Sequence, residues 1–143
     1  MLPLLPADGQ KEARPLAMVQ SNLMNQVQII TKPIAVSDLQ QIASRQFGDL
    51  VKAVVDIKRG LMAIGGELHA DEEAVLLENG SAQADLWGIN LYPAKFGQAG
   101  WVEFDSMINI RPSQHNRSRG VEAANLRREI LAVTNRLVVG GGK

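Results

Sequence analysis

The stretch LVKAVVDIKRGLMAIGGEL, residues 50–68, decides the fold of this chain. Its two halves, residues 50–57 and 61–68, are short and mostly apolar runs, and Lys58-Arg59-Gly60 separates them. Runs of this kind are typical of buried strands, and a glycine in a short connection supplies the positive φ that a hairpin turn needs. The stretch therefore predicts a pair of antiparallel strands.

Further elements are predicted on both sides of this hairpin. A short β-rich run precedes it at residues 27–31, and a second strand pair follows it at residues 86–92 and 101–110. Apolar spacing and capping residues predict three helices, at residues 37–48, 71–80 and 121–138. Strands paired by hairpins, with helices before, between and after them, predict one α+β domain on a mainly antiparallel sheet of four to five strands.

The domain is expected to span residues 27–139. Residues 1–26 contain three prolines, a glycine and scattered charges, and they show neither the helical nor the strand period. We therefore expect a disordered N-terminal extension there, and a frayed tail at the glycine-rich residues 140–143.

Composition limits the class of protein. The chain has 143 residues, no cysteine and a formal net charge of zero. The lack of cysteine excludes disulfides, thiolate catalysis and cysteine-ligated zinc, and it suits a reducing cytosol, so we expect a cytoplasmic protein. A neutral chain exerts no overall attraction on nucleic acid or on acidic lipid, and no apolar run reaches the ~20 residues of a membrane span. We therefore expect no membrane partner; nucleic acid is not excluded but is not favoured by the net charge, and no cofactor is implied.

The charges are unevenly distributed along the chain. Residues 60–94 contain six acidic residues and neither lysine nor arginine, whereas residues 111–128 contain five arginines and a single acid, Glu122. Arginine offers a planar fork of donors that matches a carboxylate or a phosphate. Two explanations stay open, because these arginines could pair with the acidic segment inside the fold or bind an external anion.

The loop RPSQHNRSRG, residues 111–120, is the strongest candidate for a binding site. It precedes a predicted helix whose N-terminus is partly positive and has free backbone N–H groups, so an anion there would neutralise the nearby arginines. Gly120 would let a ligand approach the backbone closely. We predict a site for a small phosphate- or carboxylate-bearing ligand, with the candidate residues Arg111, Ser113, Gln114, His115, Asn116, Arg117 and Arg119.

Strand alternation collects a second polar set on one face of the sheet. Its predicted members are Glu67, His69, Asn90, Tyr92, Glu103, Asp105, Asn109 and Arg111. A solvated sheet face is polar without any function. Apolar residues on the same nominal side, however, predict that this face is partly covered: Leu50, Val54, Leu61 and Ala63. Glu67, His69 and Asp105 are the candidate catalytic residues, as acid, base or metal ligands, although the Glu-x-His pattern is too weak to assign a metal.

Several motifs resemble those of a family of small bacterial proteins known only as a domain of unknown function. They are IITKPI (29–34), QFGD (46–49), MAIGGELHADEE (62–73), LWGINLYP (86–93) and EFDSMINIRPS (103–113). The resemblance covers residues 27–138. It implies a stand-alone domain and supplies no activity, substrate or catalytic residue.

Three functions stay open on the sequence. The preferred one is a protein that binds a small anionic ligand through the arginine-rich loop. The second is a small hydrolase, metal-assisted or not, acting on a phosphorylated or nucleotide-like substrate, and it requires His69 or His115 within hydrogen-bond or metal-bridging reach of that loop. The third is a structural or partner-binding module whose arginines are paired internally.

Overall fold

The computed structural model describes residues 26–140, so the predicted extension at 1–26 and tail at 140–143 lie outside it except for Gln26 and Gly140. Within these residues three α-helices are present: α1 (Val36–Arg45), α2 (His69–Glu78) and α3 (Ala124–Leu137). The strands are β1 (Gln28–Ile30), β2 (Ile34–Ala35), β3 (Val51–Asp56), β4 (Leu61–Ile64), β5 (Leu86–Leu91), β6 (Val102–Glu103) and β7 (Val138–Val139).

Five strands form one antiparallel sheet in the order β1-β4-β3-β5-β6, and β2 pairs with β7 in a small parallel sheet. The predicted hairpin, β3 and β4, lies within the five-stranded sheet. Val54 of β3 is opposite Ala63 of β4 on one side and Gly88 of β5 on the other. Asp56 closes the hairpin turn, because its Oδ1 accepts the backbone N–H groups of Lys58 at 2.9 Å and of the next residue at 2.8 Å. The predicted α+β class and antiparallel sheet are confirmed.

Both faces of the sheet are covered. One face packs against α1 and α3 in the larger core, whose buried members include Leu39, Val55, Ile89 and Ile130. The other face packs against α2 in a smaller core formed by Val54, Leu61, Ala63, Leu76 and Leu86. The second face is therefore covered over part of its area, as the apolar residues on that side predicted.

Two predicted strands end early. The strand expected at 101–110 stops at Glu103, because the side chain of Asn109 occupies the edge of β5: its Oδ1 accepts the N–H of Gly88 at 2.8 Å and its Nδ2 donates to the carbonyl of Gly88 at 3.0 Å. The strand expected at 61–68 stops at Ile64, followed by Gly65 with φ +90°. Residues 67–69 are consequently not on a strand.

All three helix starts differ from prediction, and α2 begins at His69 rather than at Asp71. Helix α1 begins at Val36, and the carboxylate of Asp38 accepts the N–H of Ala35 at 3.3 Å, so Ser37 lies inside the helix rather than at its cap. Helix α3 begins at Ala124, three residues after the predicted start. The arginine-rich loop is thereby separated from the end of that helix.

Candidate functional site

A cavity of about 480 Å³ lies on the sheet face that α2 partly covers. It is bounded by β3, β5 and β6, by the start of α2 and by the chain that follows β6. Its polar lining consists of Lys52, His69, Asn90, Tyr92, Glu103, Asp105, Ser106 and Arg119. This set unites residues from the predicted polar sheet face with one arginine of the predicted binding loop.

The floor of the cavity is a row of side chains across three neighbouring strands. Lys52 is opposite Asn90, and Asn90 is opposite Glu103. The amide of Asn90 donates to Glu103 Oε1 at 2.9 Å, and the hydroxyl of Tyr92 donates to the same oxygen at 3.0 Å. Because two donors hold Oε1, the other carboxylate oxygen of Glu103 keeps its capacity to accept from a ligand.

Tyr92 remains a hydrogen-bond donor in this row. Burial raises the pKa of its hydroxyl, and the hydrogen bond to the carboxylate of Glu103 raises it further. The phenol is therefore protonated at neutral pH, which keeps Glu103 in place as an acceptor.

His69 is the first residue of α2, and its imidazole is buried, with 8% of the residue exposed. Its Nε2 lies 2.8 Å from the carbonyl oxygen of Ile89. A carbonyl oxygen only accepts, so Nε2 carries the proton, and Nδ1 of the neutral ring is left as an acceptor. His69 thus presents a fixed tautomer to the cavity.

Burial lowers the pKa of His69, and the hydrogen bond to Ile89 acts in the opposite direction. Among the charged side chains, the cation of Lys52 lowers that pKa, Asp105 raises it, and Arg119 lowers it again. The imidazole is therefore neutral at pH 7, as a general base or a hydrogen-bond acceptor must be.

Arg119 is held at the cavity by Asp105. Its Nε donates to Asp105 Oδ1 at 2.7 Å, and its backbone carbonyl accepts the N–H of Ser106 at 2.9 Å. Among residues 26–140 no hydrogen bond uses Nη1 or Nη2 of Arg119, and 57% of its side chain is exposed. Asp105 thus orients the guanidinium, while its Nη1 and Nη2 groups can still donate to a ligand.

Gly88 is required by close packing behind the cavity. A Cβ at this position would lie 2.6 Å from Oγ of Ser106 and 3.2 Å from Cδ2 of His69. Any larger residue would therefore displace one of these two side chains.

Arg111 and Gln114 of the predicted binding loop are used by the fold. The guanidinium of Arg111 lies over the ring of Trp87, 4.1 Å from its centroid, and donates to the carbonyls of Gln83 and Leu86. Gln114 donates to the carbonyl of Ala84 at 3.1 Å. These donors bind backbone carbonyls. The two explanations offered for the arginines, pairing with the acidic segment and binding an external anion, did not include such acceptors.

Asn116 is buried at the centre of the loop. Its Nδ2 lies within 3.1 Å of the carbonyls of Asn109, Ser118 and Gly120, and its Oδ1 accepts the N–H of Glu122 at 2.9 Å. The amide therefore ties the two ends of the loop together.

Two backbone N–H groups of the loop, just before the predicted start of the helix, bind an internal carboxylate. Oε2 of Glu122 accepts the N–H of Arg117 at 2.9 Å and that of Ser118 at 3.0 Å, and these bonds lower the pKa of the carboxyl. Ser113, His115 and Arg117 have exposed side chains and lie outside the cavity lining. Of the seven predicted binding residues, Arg119 is the one that lines it.

The three predicted catalytic residues are divided between two places. His69 and Asp105 line the cavity, whereas Glu67 is exposed and lines a different, polar depression of about 360 Å³ beside Arg45 and Gln46. Glu67 follows the break in the predicted strand, so strand alternation does not apply to it. The sequence interpretation omitted Lys52, although it alternates with buried residues of β3 and so shares the face of Asn90.

A second cavity of about 480 Å³, between residues 96–102 and α3, has no acidic, basic or histidine side chain in its lining. Nowhere in residues 26–140 do three aspartate, glutamate or histidine side chains form a group that could hold a metal ion. No helix in the same range has the length and apolar character needed to cross a membrane.

In a comparison with known protein families, residues 28–137 match one family model, described as "Protein of unknown function (DUF5674)". The comparisons with curated proteins and with solved structures gave no match.

Proposed function

Since the chain belongs to this family of proteins of unknown function, its own residues have to carry the argument, and we propose that the cavity binds a small ligand with a phosphate or carboxylate group. One observation supports this most strongly: Arg119 is fixed through Nε by Asp105 and leaves both Nη groups for a ligand. A guanidinium held in this way is pre-organised for a two-bond contact with an anion.

The position of the donors matters more than net charge. The lining has two cations, Lys52 and Arg119, and two carboxylates, Glu103 and Asp105, so there is no excess of positive charge. The ten-residue helix α2, however, begins at the cavity with His69 and Ala70. The first N–H groups of a helix have no partner within it, and its N-terminus carries about half a positive charge. This end of α2 adds to the attraction for an anion.

The ion pair between Arg119 and Asp105 contributes little to the stability of the fold. Its side chains are 57% and 38% exposed, and exposed ion pairs contribute about 0–1 kcal/mol. A charge-assisted hydrogen bond to a bound anion is worth more, about 1.5–3 kcal/mol. Ligand binding is therefore the better explanation for an arginine fixed at this edge.

A thermal-shift titration of the full chain with sodium phosphate tests the proposal. We expect the melting temperature to rise with phosphate at constant ionic strength, since a ligand at about 100 times its Kd stabilises the fold by about 2.7 kcal/mol. Arg119→Ala should abolish the shift. Arg117→Ala is the matched control, because it removes an exposed arginine of the same loop that does not line the cavity. An unchanged shift in Arg119→Ala would refute the proposed site.

Hydrolysis of a phosphate ester is the second candidate function. His69 favours it, since its neutral imidazole lines the same cavity as Arg119. In this scheme Nδ1 of His69 takes a proton from water while the water oxygen bonds to phosphorus. The ester bond breaks, and its oxygen is protonated from solvent.

Turnover of a chromogenic phosphate monoester tests this second candidate. We expect His69→Gln to lower kcat by about 100-fold or more, the usual contribution of a general base, while phosphate binding persists. Equal kcat values for the wild type and His69→Gln would rule out this role, and His115→Gln serves as the control at the other histidine.

A further inference from the structure

We infer that the ligand of this cavity carries an apolar group, an aromatic ring or a short alkyl chain, beside its anionic group. The inference rests on the proposed function and concerns the same cavity. Four large apolar side chains line the cavity together with the polar floor, and we call them the apolar rim: Leu50, Leu68, Met107 and Ile108.

Two members of the apolar rim are unusually exposed. Leu68 is 59% exposed and Met107 is 66% exposed. These are the two highest values among the large apolar side chains at the surface of residues 26–140. Other exposed apolar side chains, such as Leu77 and Val139, lie outside the cavity lining. Exposed apolar side chains that gather at the edge of one cavity indicate a binding surface more strongly than single scattered ones.

Local structure does not account for Leu68. It is the N-cap of α2 and makes no side-chain capping hydrogen bond. Serine, threonine, aspartate or asparagine at an N-cap stabilises a helix by about 1 kcal/mol relative to an apolar residue. The chain thus has a leucine where the helix favours a polar residue.

Met107 has a similar setting. It opens a 3₁₀ turn, and the preceding Ser106 accepts the N–H of Ile108 at 3.2 Å, so this turn is formed without a contribution from the Met107 side chain. Methionine is unbranched and polarizable and adapts its shape to different apolar ligands. Contact with an apolar group of a ligand would explain both residues.

The size of the cavity agrees with this class of ligand. Pockets for organic ligands have volumes of about 300–1,000 Å³, and this one has about 480 Å³. An anion bound at Arg119 would leave space between the polar floor and the apolar rim. An aromatic phosphate or carboxylate fills both parts, with its ring on Leu68 and Met107.

Calorimetric titration of the full chain with matched pairs of ligands tests the inference. The pairs are phenyl phosphate against inorganic phosphate and benzoate against acetate, which separate the two anions. We expect the ring to tighten binding by about tenfold in at least one pair, equal to about 1.4 kcal/mol, from burial of apolar surface on the rim. The variant Leu68→Ser with Met107→Ser should lose this increment and retain the affinity for the simple anion.

The variant is expected to fold, because serine is a favourable N-cap residue and both side chains are exposed. Leu77→Ser is the matched control on the same helix and should keep the tenfold increment. Equal affinity of the simple anion and its aromatic partner in both pairs would overturn the inference and leave the proposed function intact. An increment that survives in the double variant would also overturn it. Absence of binding by all four ligands would overturn both.

Discussion

Arg111 and Arg119 belong to the same loop and have opposite environments. The guanidinium of Arg111 is stacked on Trp87 and donates to two backbone carbonyls, whereas that of Arg119 is anchored through Nε alone at the edge of a cavity. Two arginines of one loop can thus have different roles, one in stabilising the fold and one in binding a ligand. They differ in which of their guanidinium N–H donors already have partners in the protein.

The two environments follow from the turns between the arginines. Arg111 donates its backbone N–H to the carbonyl of Asn116 at 2.7 Å, which closes a short loop over Pro112–Gln114. The chain then returns, so that the carbonyl of Arg119 meets the N–H of Ser106. The closed part of the loop is scaffold, and its return forms one wall of the cavity. Three substitutions in the loop test this division, and one at His69 tests the cavity.

The largest effect is expected at Asn116, the buried amide of the scaffold part. Asn116→Ala removes the partner of three carbonyls and one N–H, and we expect the free energy of unfolding to fall by about 3 kcal/mol. Urea denaturation measures the loss, with Ser113→Ala as the exposed control in the same loop. A loss under about 1 kcal/mol would contradict a scaffold role for this loop.

The second effect is expected at Arg111. Arg111→Lys keeps the charge and removes the planar fork that reaches the carbonyls of Gln83 and Leu86, so we expect a loss of about 2 kcal/mol despite the conserved charge. The same denaturation experiment measures it. Arg119→Lys is the matched substitution in the open part of the loop, and a loss as large there as at Arg111 would erase the distinction.

The third effect concerns pH and the cavity. Since burial lowers the pKa of His69 in the folded state, the unfolded chain takes up a proton first as pH falls below about 6.5. His69 therefore contributes no destabilisation above that pH and an increasing one below it, with a slope of at most about 1.4 kcal/mol per pH unit until the folded-state pKa is passed.

Comparison of wild type with His69→Gln by urea denaturation from pH 8 to pH 5 isolates this contribution. The variant is needed because Glu72, on the same helix, has the opposite effect: burial raises its pKa well above the ordinary value, so its contribution to stability falls as pH rises. Parallel curves for wild type and His69→Gln would show that His69 does not titrate in this way, and His115→Gln is the control.

The smallest effect on stability is expected at Arg119. Arg119→Ala removes one exposed ion pair, and we expect a loss under about 1 kcal/mol together with the loss of phosphate binding. A double-mutant cycle with Asp105→Ala measures the coupling between the two side chains. Strong coupling, as large as the effect at Asn116, would place Arg119 in the scaffold as well.

The sheet could be predicted from the sequence because its signals are local. The hairpin at residues 50–68 and the pairing of 86–92 with the chain near 102 depend on apolar runs and on glycines that lie within the elements themselves. Alternation then placed Asn90, Tyr92 and Glu103 on one face, where they are found together. Continuous strands make this inference reliable.

The ends of the strands could not be predicted, because distant contacts set them. Asn109 pairs with the backbone of Gly88, 21 residues earlier, and no local pattern marks that pairing. The two acceptors of Arg111 are likewise 28 and 25 residues away. Sequence patterns therefore identified the loop as rich in donors and could not show which donors the fold would use.

The cavity itself combines both kinds of signal. His69 is in the cavity although the strand that was predicted to carry it ends at Ile64, since the start of α2 brings it back to the same face. Binding by the remaining loop residues, such as His115 and Arg117, stays a prediction from the sequence. The cavity directs attention to Arg119 instead.

Chemical-shift mapping by NMR decides most directly between the two parts of the loop. A full-length, ¹⁵N-labelled chain is titrated with phenyl phosphate at constant pH and ionic strength, and the guanidinium of Arg119, the imidazole of His69 and the backbone of residues 112–117 are followed. We predict that the largest changes occur at Arg119 and His69 and that residues 112–117 remain nearly unchanged. Largest changes at His115 and Arg117, with Arg119 and His69 unaffected, would contradict the account and return the site to the tip of the loop.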